Sequence, residues 1–276
     1  MDTSQIILPS GIRTGTISPI FNSNPFGSLR RKSNIAASFD FTISSIAVGS
    51  VTLGWTANVG SSTEIWAAFN GGDWSLVGTT NRPATGYTHT VDLFLYNTLE
   101  YRIRTKNGNT FSNFSLIKKV TIGANTMTNG GYAGATDWVD SNSDGLADNF
   151  QESGAAAATV ITGSTNGFAD GYVQQVASAT TGYFFINIGL AASTTYITKY
   201  KWRCAATGSG VQFGYGTNCA VNLDGFVYQK NSGNAVYRSY IFTTGLTSLQ
   251  CIIWQLYNTT FYVDEWETHK ITTTTV

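Results

Sequence analysis

Four aspartates, Asp137, Asp140, Asp144 and Asp148, fall within 12 residues of a chain that has only 11 aspartates in all. Like charges at that density repel one another unless something neutralises them. The run Asp140-Ser141-Asn142-Ser143-Asp144-Gly145-Leu146-Ala147-Asp148 sets side-chain oxygens at alternate positions, with a glycine where the chain must turn sharply. Calcium takes roughly six to eight hard oxygens, main-chain carbonyls included. The spacing therefore predicts a structural Ca2+ ligated by Asp140, Asn142, Asp144, Asp148 and the carbonyl of Leu146. A metal-free turn, in which the same side chains accept hydrogen bonds from their own backbone, is the other reading of these residues.

The run resembles the DxDxDG calcium loops of EF-hands, dockerins and thrombospondin-type repeats. It departs from the EF-hand at the twelfth position, where Gln151 stands in place of Glu. No helix is predicted on either side. The resemblance implies a fixed site at a sandwich edge, not a sensor.

Other chemistry is sparse. His89 and His269 lie far apart in sequence, each reading as a surface strand residue, and neither has a nucleophile motif beside it. No glycine-rich phosphate loop occurs. A glycosidase needs two carboxylates across a cleft, and the chain has five glutamates. No enzymatic activity is expected. Cys204, Cys219 and Cys251 are odd in number and lack metal-ligand spacing, so they read as buried thiols.

The elements that must position the loop are strands. Charged residues make up 12% of the chain and the formal net charge is zero, so nothing holds a nucleic-acid backbone. No stretch has the length of a membrane helix. Aromatics at 13%, 29 glycines and abundant Thr, Ser and Asn predict an all-β protein, with a length that suits two sandwiches and an extra segment. Residues 1–36 hold three of the four prolines, Pro9, Pro19 and Pro25, without apolar periodicity. They read as an extended arm, closed by Arg30, Arg31 and Lys32, that must lie on something, either its own domains or another chain. The N-terminus lacks the basic-then-apolar pattern of a secretory signal.

Residues 37–122 carry alternating strands. Val51, Leu53 and Trp55 share one face, and Leu99, Tyr101, Ile103 and Thr105 another; Gly71-Gly72-Asp73 marks a hairpin. Ser50 to Thr56 (SVTLGWT), with Leu95 six residues before Tyr101, resembles a fibronectin type III domain, Trp55 being its core tryptophan and Leu95 and Tyr101 its corner pair. The resemblance implies a spacer or adhesive module.

Residues 123–128 read as a linker. Residues 129–276 show strand patterns at 183–186, 195–197, 199–204, 211–215, 237–242, 251–257 and 261–266, a two-sheet jelly roll. The opening Asn129-Gly130-Gly131 and the closing FYVDEWETHKI resemble carbohydrate-binding-module jelly rolls. That resemblance implies that Asp264, on the closing strand, helps hold calcium, although beside Glu265 it also reads as an exposed aspartate. Rings among Trp138, Tyr172, Tyr215, Tyr228, Tyr257 and Trp266 are the candidates for a glycan face, Trp138, Tyr215, Tyr228 and Trp266 first among them, since flat rings stack on sugars; each of them also reads as a core or general surface aromatic of a sandwich this size. A spacer joined to such a tip resembles phage surface proteins. The expectation is a virion structural protein (head fibre, capsid decoration or tail-associated), anchored by its arm to other virion chains, arrayed in many copies on the virion surface, and adsorbing cell-surface glycans. The alternative is a secreted, extracellular bacterial carbohydrate-binding or adhesion module.

Overall fold

Strict alternation of apolar and polar residues makes a strand with one dry face, and the first half of the chain is built this way. Its strands are β1 (Phe41–Ala47), β2 (Ser50–Trp55), β3 (Ser62–Phe69), β4 (Ser75–Asn81), β5 (Gly86–Thr90), β6 (Thr98–Asn107), β7 (Thr110–Phe111) and β8 (Lys118–Asn125). The structure is a computed structural model. It describes residues 40–56, 60–127, 138–162, 168, 172–205, 210–217, 225–229, 233–245 and 250–276. The predicted arm, with Arg30, Arg31 and Lys32, lies outside the described residues, as do Asp137 and Cys219. The protein is all-β, as its composition implies; the described residues form strands, turns and one short 3-10 turn, Leu93–Leu95.

In the first unit, sheet β1-β2-β5 faces sheet β4-β3-β6-β8, with β7 paired to β6. Val51, Leu53 and Trp55 from one sheet pack with Ile65, Ala67, Leu99, Tyr101 and Ile103 from the other. Each fully buried aliphatic side chain among them, Val51, Leu53, Ile65, Leu99 and Ile103, contributes roughly 1.5–3 kcal/mol. The turn after β3 takes positive φ at Asn70 and Gly71, as a tight hairpin demands. One detail corrects the sequence reading. Leu95 is 67% exposed, and the buried leucine of this segment is Leu93, at 1%. Asp92 caps the 3-10 turn by accepting from the N–H of Phe94, and that turn carries Leu93 inward and Leu95 outward.

The second unit has β9 (Phe150–Thr162), β10 (Tyr172–Leu190), β11 (Thr195–Cys204), β12 (Gly210–Thr217), β13 (Gly225–Gln229), β14 (Val236–Thr243) and β15 (Gln250–Thr275). β15 organises it. Its first part pairs with β10 and β12, its middle with β10 and β11, and its last part with β11. Asn258 and Glu265 adopt positive φ along it, and the pairing of β11 with β15 slips between Lys199 and Lys201. Such irregularities let one strand bend from one layer into another. The core enclosed is aromatic: Trp138, Phe150, Phe184, Tyr200, Trp202, Phe213, Phe261 and Trp266 are all buried in it. Phe150 stacks on Phe184 with centroids 4.9 Å apart. Cys204 is buried in this core, as expected; Cys251 lies on β15.

The two units share a sheet. Residues 269–275 of β15 pair antiparallel with β8, the last strand of the first unit. Ile271 of β15 and Ile197 of β11 belong to the first unit's core. The segment that reads as a linker begins inside β8, which runs to Asn125, and Thr126 then bonds to Thr268 through both its N–H and its hydroxyl. Asn125 Oδ1 accepts from the N–H groups of Thr268 and Met127.

Candidate functional site

The aspartate loop folds on its own polar groups. Asp140 accepts from the N–H of Asp144 (3.2 Å) and of Gly145 (2.8 Å). Asn142 Oδ1 accepts from the same Asp144 N–H (3.3 Å), and its amide nitrogen donates to Asp144 Oδ2 (2.8 Å). Asp144 Oδ1 accepts from the N–H of Leu146 (2.8 Å). Asp148 accepts from the N–H and hydroxyl of Ser141 (3.1 and 2.8 Å). The Asn142 Oδ1–Asp144 and Asp144 Oδ1–Leu146 bonds to backbone N–H have Asx-turn spacing, and those of Asp140 and Asp148 close the loop across longer separations. Gly145 sits at φ +88°, and a Cβ there would lie 2.7 Å from the carbonyl oxygen of Ala158, so the sharp turn does require glycine.

Gln174, absent from the sequence-level candidates, fastens the loop to β10. It is fully buried, accepts from the N–H of Ala147 (2.9 Å) and donates to the carbonyl of Gly145 (3.2 Å). A glutamine in a strand gives no signal in sequence; the role of Gln174 depends on meeting a loop 27 residues away.

The donor set is one of hard oxygens, and each oxygen has a second lone pair beyond the bond it accepts, so its chemistry fits calcium. Among the described residues, however, no three His, Cys, Asp or Glu side chains gather as a metal-holding group.

Asp264 is neither exposed nor among the loop's oxygens. It is 3% exposed, and its Oδ1 accepts from Trp138 Nε1 at 2.8 Å. Burial pushes its carboxyl up to about 7, against the stabilising bonds from Trp138 and the Glu265 N–H. The two tryptophans among the glycan candidates are core residues, the other reading of those rings. Trp138 packs at a centroid distance of 5.3 Å on Phe150, and Trp266, fully buried, donates to Thr198 Oγ1 (3.0 Å). Rings enclosed in this way have no face to offer a ligand. Tyr215 and Tyr228 stand on β12 and β13; their side chains, with that of Tyr172, lie outside the described features.

What the sheet does assemble is a polar-aromatic strip. Tyr183 of β10 pairs in register with Gln255 of β15, and Gln255 with Gln212 of β12. Tyr257 lies two residues beyond Gln255, on the same side. Their sequence neighbours Phe184, Leu256, Val211 and Phe213 fill the core, so alternation turns all four away from it. All four are half-exposed. Gln255 Nε2 donates to the Tyr183 hydroxyl (3.3 Å), and the Tyr257 hydroxyl donates to Gln212 Oε1 (2.9 Å). Each glutamine is thus held at one end. The Gln212 amide nitrogen and the Gln255 carbonyl keep no partner among the described residues. One donor and one acceptor between two rings match a sugar's vicinal hydroxyls and its C–H face. Of these residues only Tyr257 is among the sequence candidates. The others become visible only when three distant strands come into register.

Neither histidine is a free surface residue. His89 Nδ1 lies 2.9 Å from the Tyr101 hydroxyl, and burial lowers its pKa. His269 lies at the seam of the two units, with Nδ1 2.9 Å from the Gly123 carbonyl and Nε2 2.9 Å from Glu267. Four of the five glutamates are tied up in ion pairs: Glu64 with Arg104, Glu100 with Lys119, Glu265 with Lys201, and Glu267 with Lys199 and His269.

No protein-family model and no curated protein matches the chain. Several solved structures do. The CBM22-1 xylan-binding domain from Paenibacillus barcinonensis Xyn10C is 10% identical, with a TM-score of 0.39 over 54% of this chain and 95% of that one. The CBM22-1-CBM22-2 tandem domain of the same protein is 10% identical, with a TM-score of 0.35 over 84% and 91%. The enzymatically active domain of bacteriophage CBA120 tailspike protein 4 is 8% identical, with a TM-score of 0.35 over 45% of this chain and 19% of that one.

Proposed function

We propose that this is a non-catalytic glycan-binding protein whose second sandwich adsorbs polysaccharide on the Tyr183–Gln255–Gln212–Tyr257 strip. The strip itself carries the reading: two half-exposed rings flank two amides that are each fixed at one end and open at the other. The glutamates held in ion pairs support a binding role over a catalytic one. Titrating neutral xylan and glucan oligomers into the full chain tests it. Binding that Gln212→Ala or Tyr257→Ala weakens roughly tenfold supports the strip; binding unaffected by both places the site elsewhere.

The first sandwich serves as a fibronectin type III-like spacer, a reading supported by its facing sheets β1-β2-β5 and β4-β3-β6-β8. The aspartate loop holds a structural Ca2+ through Asp140, Asn142, Asp144, Asp148 and the Leu146 carbonyl, which would neutralise the crowded carboxylates. The setting is the surface of a phage particle, where residues 1–36, with Arg30, Arg31 and Lys32, anchor many copies to other virion chains and multiply a weak glycan contact. A free bacterial adhesion module is the other setting. Deleting residues 1–36 separates them: it abolishes incorporation into particles in the first and leaves glycan adsorption unchanged in both.

A further inference from the structure

The outward face of the first sandwich carries a second feature, unrelated to the strip. Alternation along β6 places Arg102, Arg104 and Lys106 on that face, and register sets Trp66 and Glu64 of β3 opposite Arg102 and Arg104. Phe111, Phe114 and Trp74 come in from the flanking segments. The Arg102 guanidinium carbon lies 4.1 Å from the Trp74 ring centroid and 4.0 Å from that of Phe114, so the cation is gripped between two rings. Arg104 lies 4.1 Å from Phe111 and 4.8 Å from Phe114, and Lys106 5.5 Å from Phe111.

The charges on this face do not balance. Two carboxylates share this face with the three cations, and both are committed: Glu64 to Arg104 at 2.8 Å and to Trp66 Nε1 at 3.3 Å, and Glu100, two residues before Arg102 on β6, to Lys119 at 3.0 Å. Arg102 has no carboxylate partner among the described residues, and its buried Nε has no hydrogen-bond partner. Burial and the neighbouring Arg104 both work against its charge. A planar guanidinium fixed by ring stacking, with unspent N–H groups, is preorganised for a carboxylate.

We propose that this face binds an acidic polysaccharide carrying a carboxylate on its sugars, with Arg102 as the central anion contact. Cations interleaved with rings suit a polymer that alternates carboxylate groups with pyranose C–H faces. Exposed Phe111 and Leu76 border the cations with apolar surface. An extended acidic peptide is disfavoured here. β3 and β6 are each paired on both sides, so the face offers no free backbone groups to satisfy a peptide's own N–H and C=O.

The test is calorimetry on the full chain with oligogalacturonate as probe, beside neutral xylan oligomers and polyglutamate. Oligogalacturonate is expected to bind at about 20 mM salt and to weaken severalfold by about 300 mM. Arg102→Gln is expected to weaken it roughly tenfold, and Arg102→Lys nearly as much, since lysine keeps the charge but loses the planar fork. Lys106→Gln, at the open end of the row, is expected to weaken it a few-fold without altering the melting temperature, and stands in if the Arg102 variants fail to fold. Tyr257→Ala is expected to leave this binding unchanged, so the two sites fail separately. The proposal is overturned by no binding at low salt, by binding indifferent to Arg102 and Lys106, or by polyglutamate binding as tightly as the polyuronate.

Discussion

Gly145 shows what a single backbone position contributes. At φ +88°, with the carbonyl oxygen of Ala158 2.7 Å from where a Cβ would stand, alanine meets both strain and a clash. Gly145→Ala is expected to cost about 1–3 kcal/mol in chemical denaturation. By contrast, alanine at Gly71, which also has positive φ but open space around its Cβ, should cost only the strain. The calcium reading belongs to the same scale. If the loop holds the ion, added Ca2+ raises the melting temperature because it binds only the native loop, and Asp144→Ala removes both that rise and the heat of binding. An unchanged melting temperature in calcium and in chelator would leave the self-satisfied Asx turn as the whole account of the cluster. Gln174→Ala discriminates further. It strips the Ala147 N–H and the Gly145 carbonyl of a buried partner, which costs about 1–3 kcal/mol whether or not calcium is bound.

Among the elements, the seam strand is where pH acts. Burial alone would lower the pKa of His269, but the Glu267 carboxylate and the Gly123 carbonyl outweigh it, and the pKa is raised. Lys199, bonded to Glu267 at 3.5 Å, opposes in part, and Phe94 lies edge-on at 6.0 Å. A raised folded pKa means that the folded state holds the proton more tightly. Its stabilisation is therefore complete below the unfolded value near 6.5 and is lost as pH rises through the folded pKa. Asp264, pushed up to about 7, also loses stability over this window and does so in both chains, so melting curves between about pH 5.5 and 8 should fall less steeply in His269→Gln than in the native chain. Had the ring packed as an exposed strand residue, the two profiles would coincide. The sequence made some elements plain and hid others, for physical reasons. β2 and β6 alternate cleanly, so their buried faces can be read directly. β9 contains a run of four alanines, poor β-formers with little side chain to pattern, and it goes unseen. β15 reads as two strands because Asn258-Thr259-Thr260 looks like a turn, yet pairing with β10 carries the strand through it. Trp138 and Trp266 are chemically able to stack on a sugar. Only packing shows that they are core, and only register shows that Tyr183 and the two glutamines stand together.

At the scale of the whole molecule, the seam decides how the two sandwiches behave. Two domains tethered by a flexible linker unfold separately and reorient freely. Here β15 ends as a strand of the first unit's sheet, Ile197 and Ile271 lend their side chains to the first unit's core, and Thr126 and Asn125 bond across the join. Unfolding either unit would strip hydrogen bonds and apolar cover from the other, so the expected melt is a single calorimetric transition with calorimetric and van't Hoff enthalpies equal. Ile271→Ala should cost about 2–5 kcal/mol by cavity formation, and it should lower the stability of both units together although the cavity opens in the core of the first. Two resolved transitions in the native chain, or an Ile271→Ala variant in which only the early strands melt sooner, would show that the shared sheet does not couple them. Coupling also bears on display. If the units move as one body, the outward face of β6 and the strip on β10, β12 and β15 hold a fixed distance and orientation, so a polymer long enough to reach both would bind more tightly than to either alone. Linked binding of a mixed neutral and acidic polysaccharide, reduced to single-site strength by either Arg102→Gln or Gln212→Ala, is the signature of that rigidity.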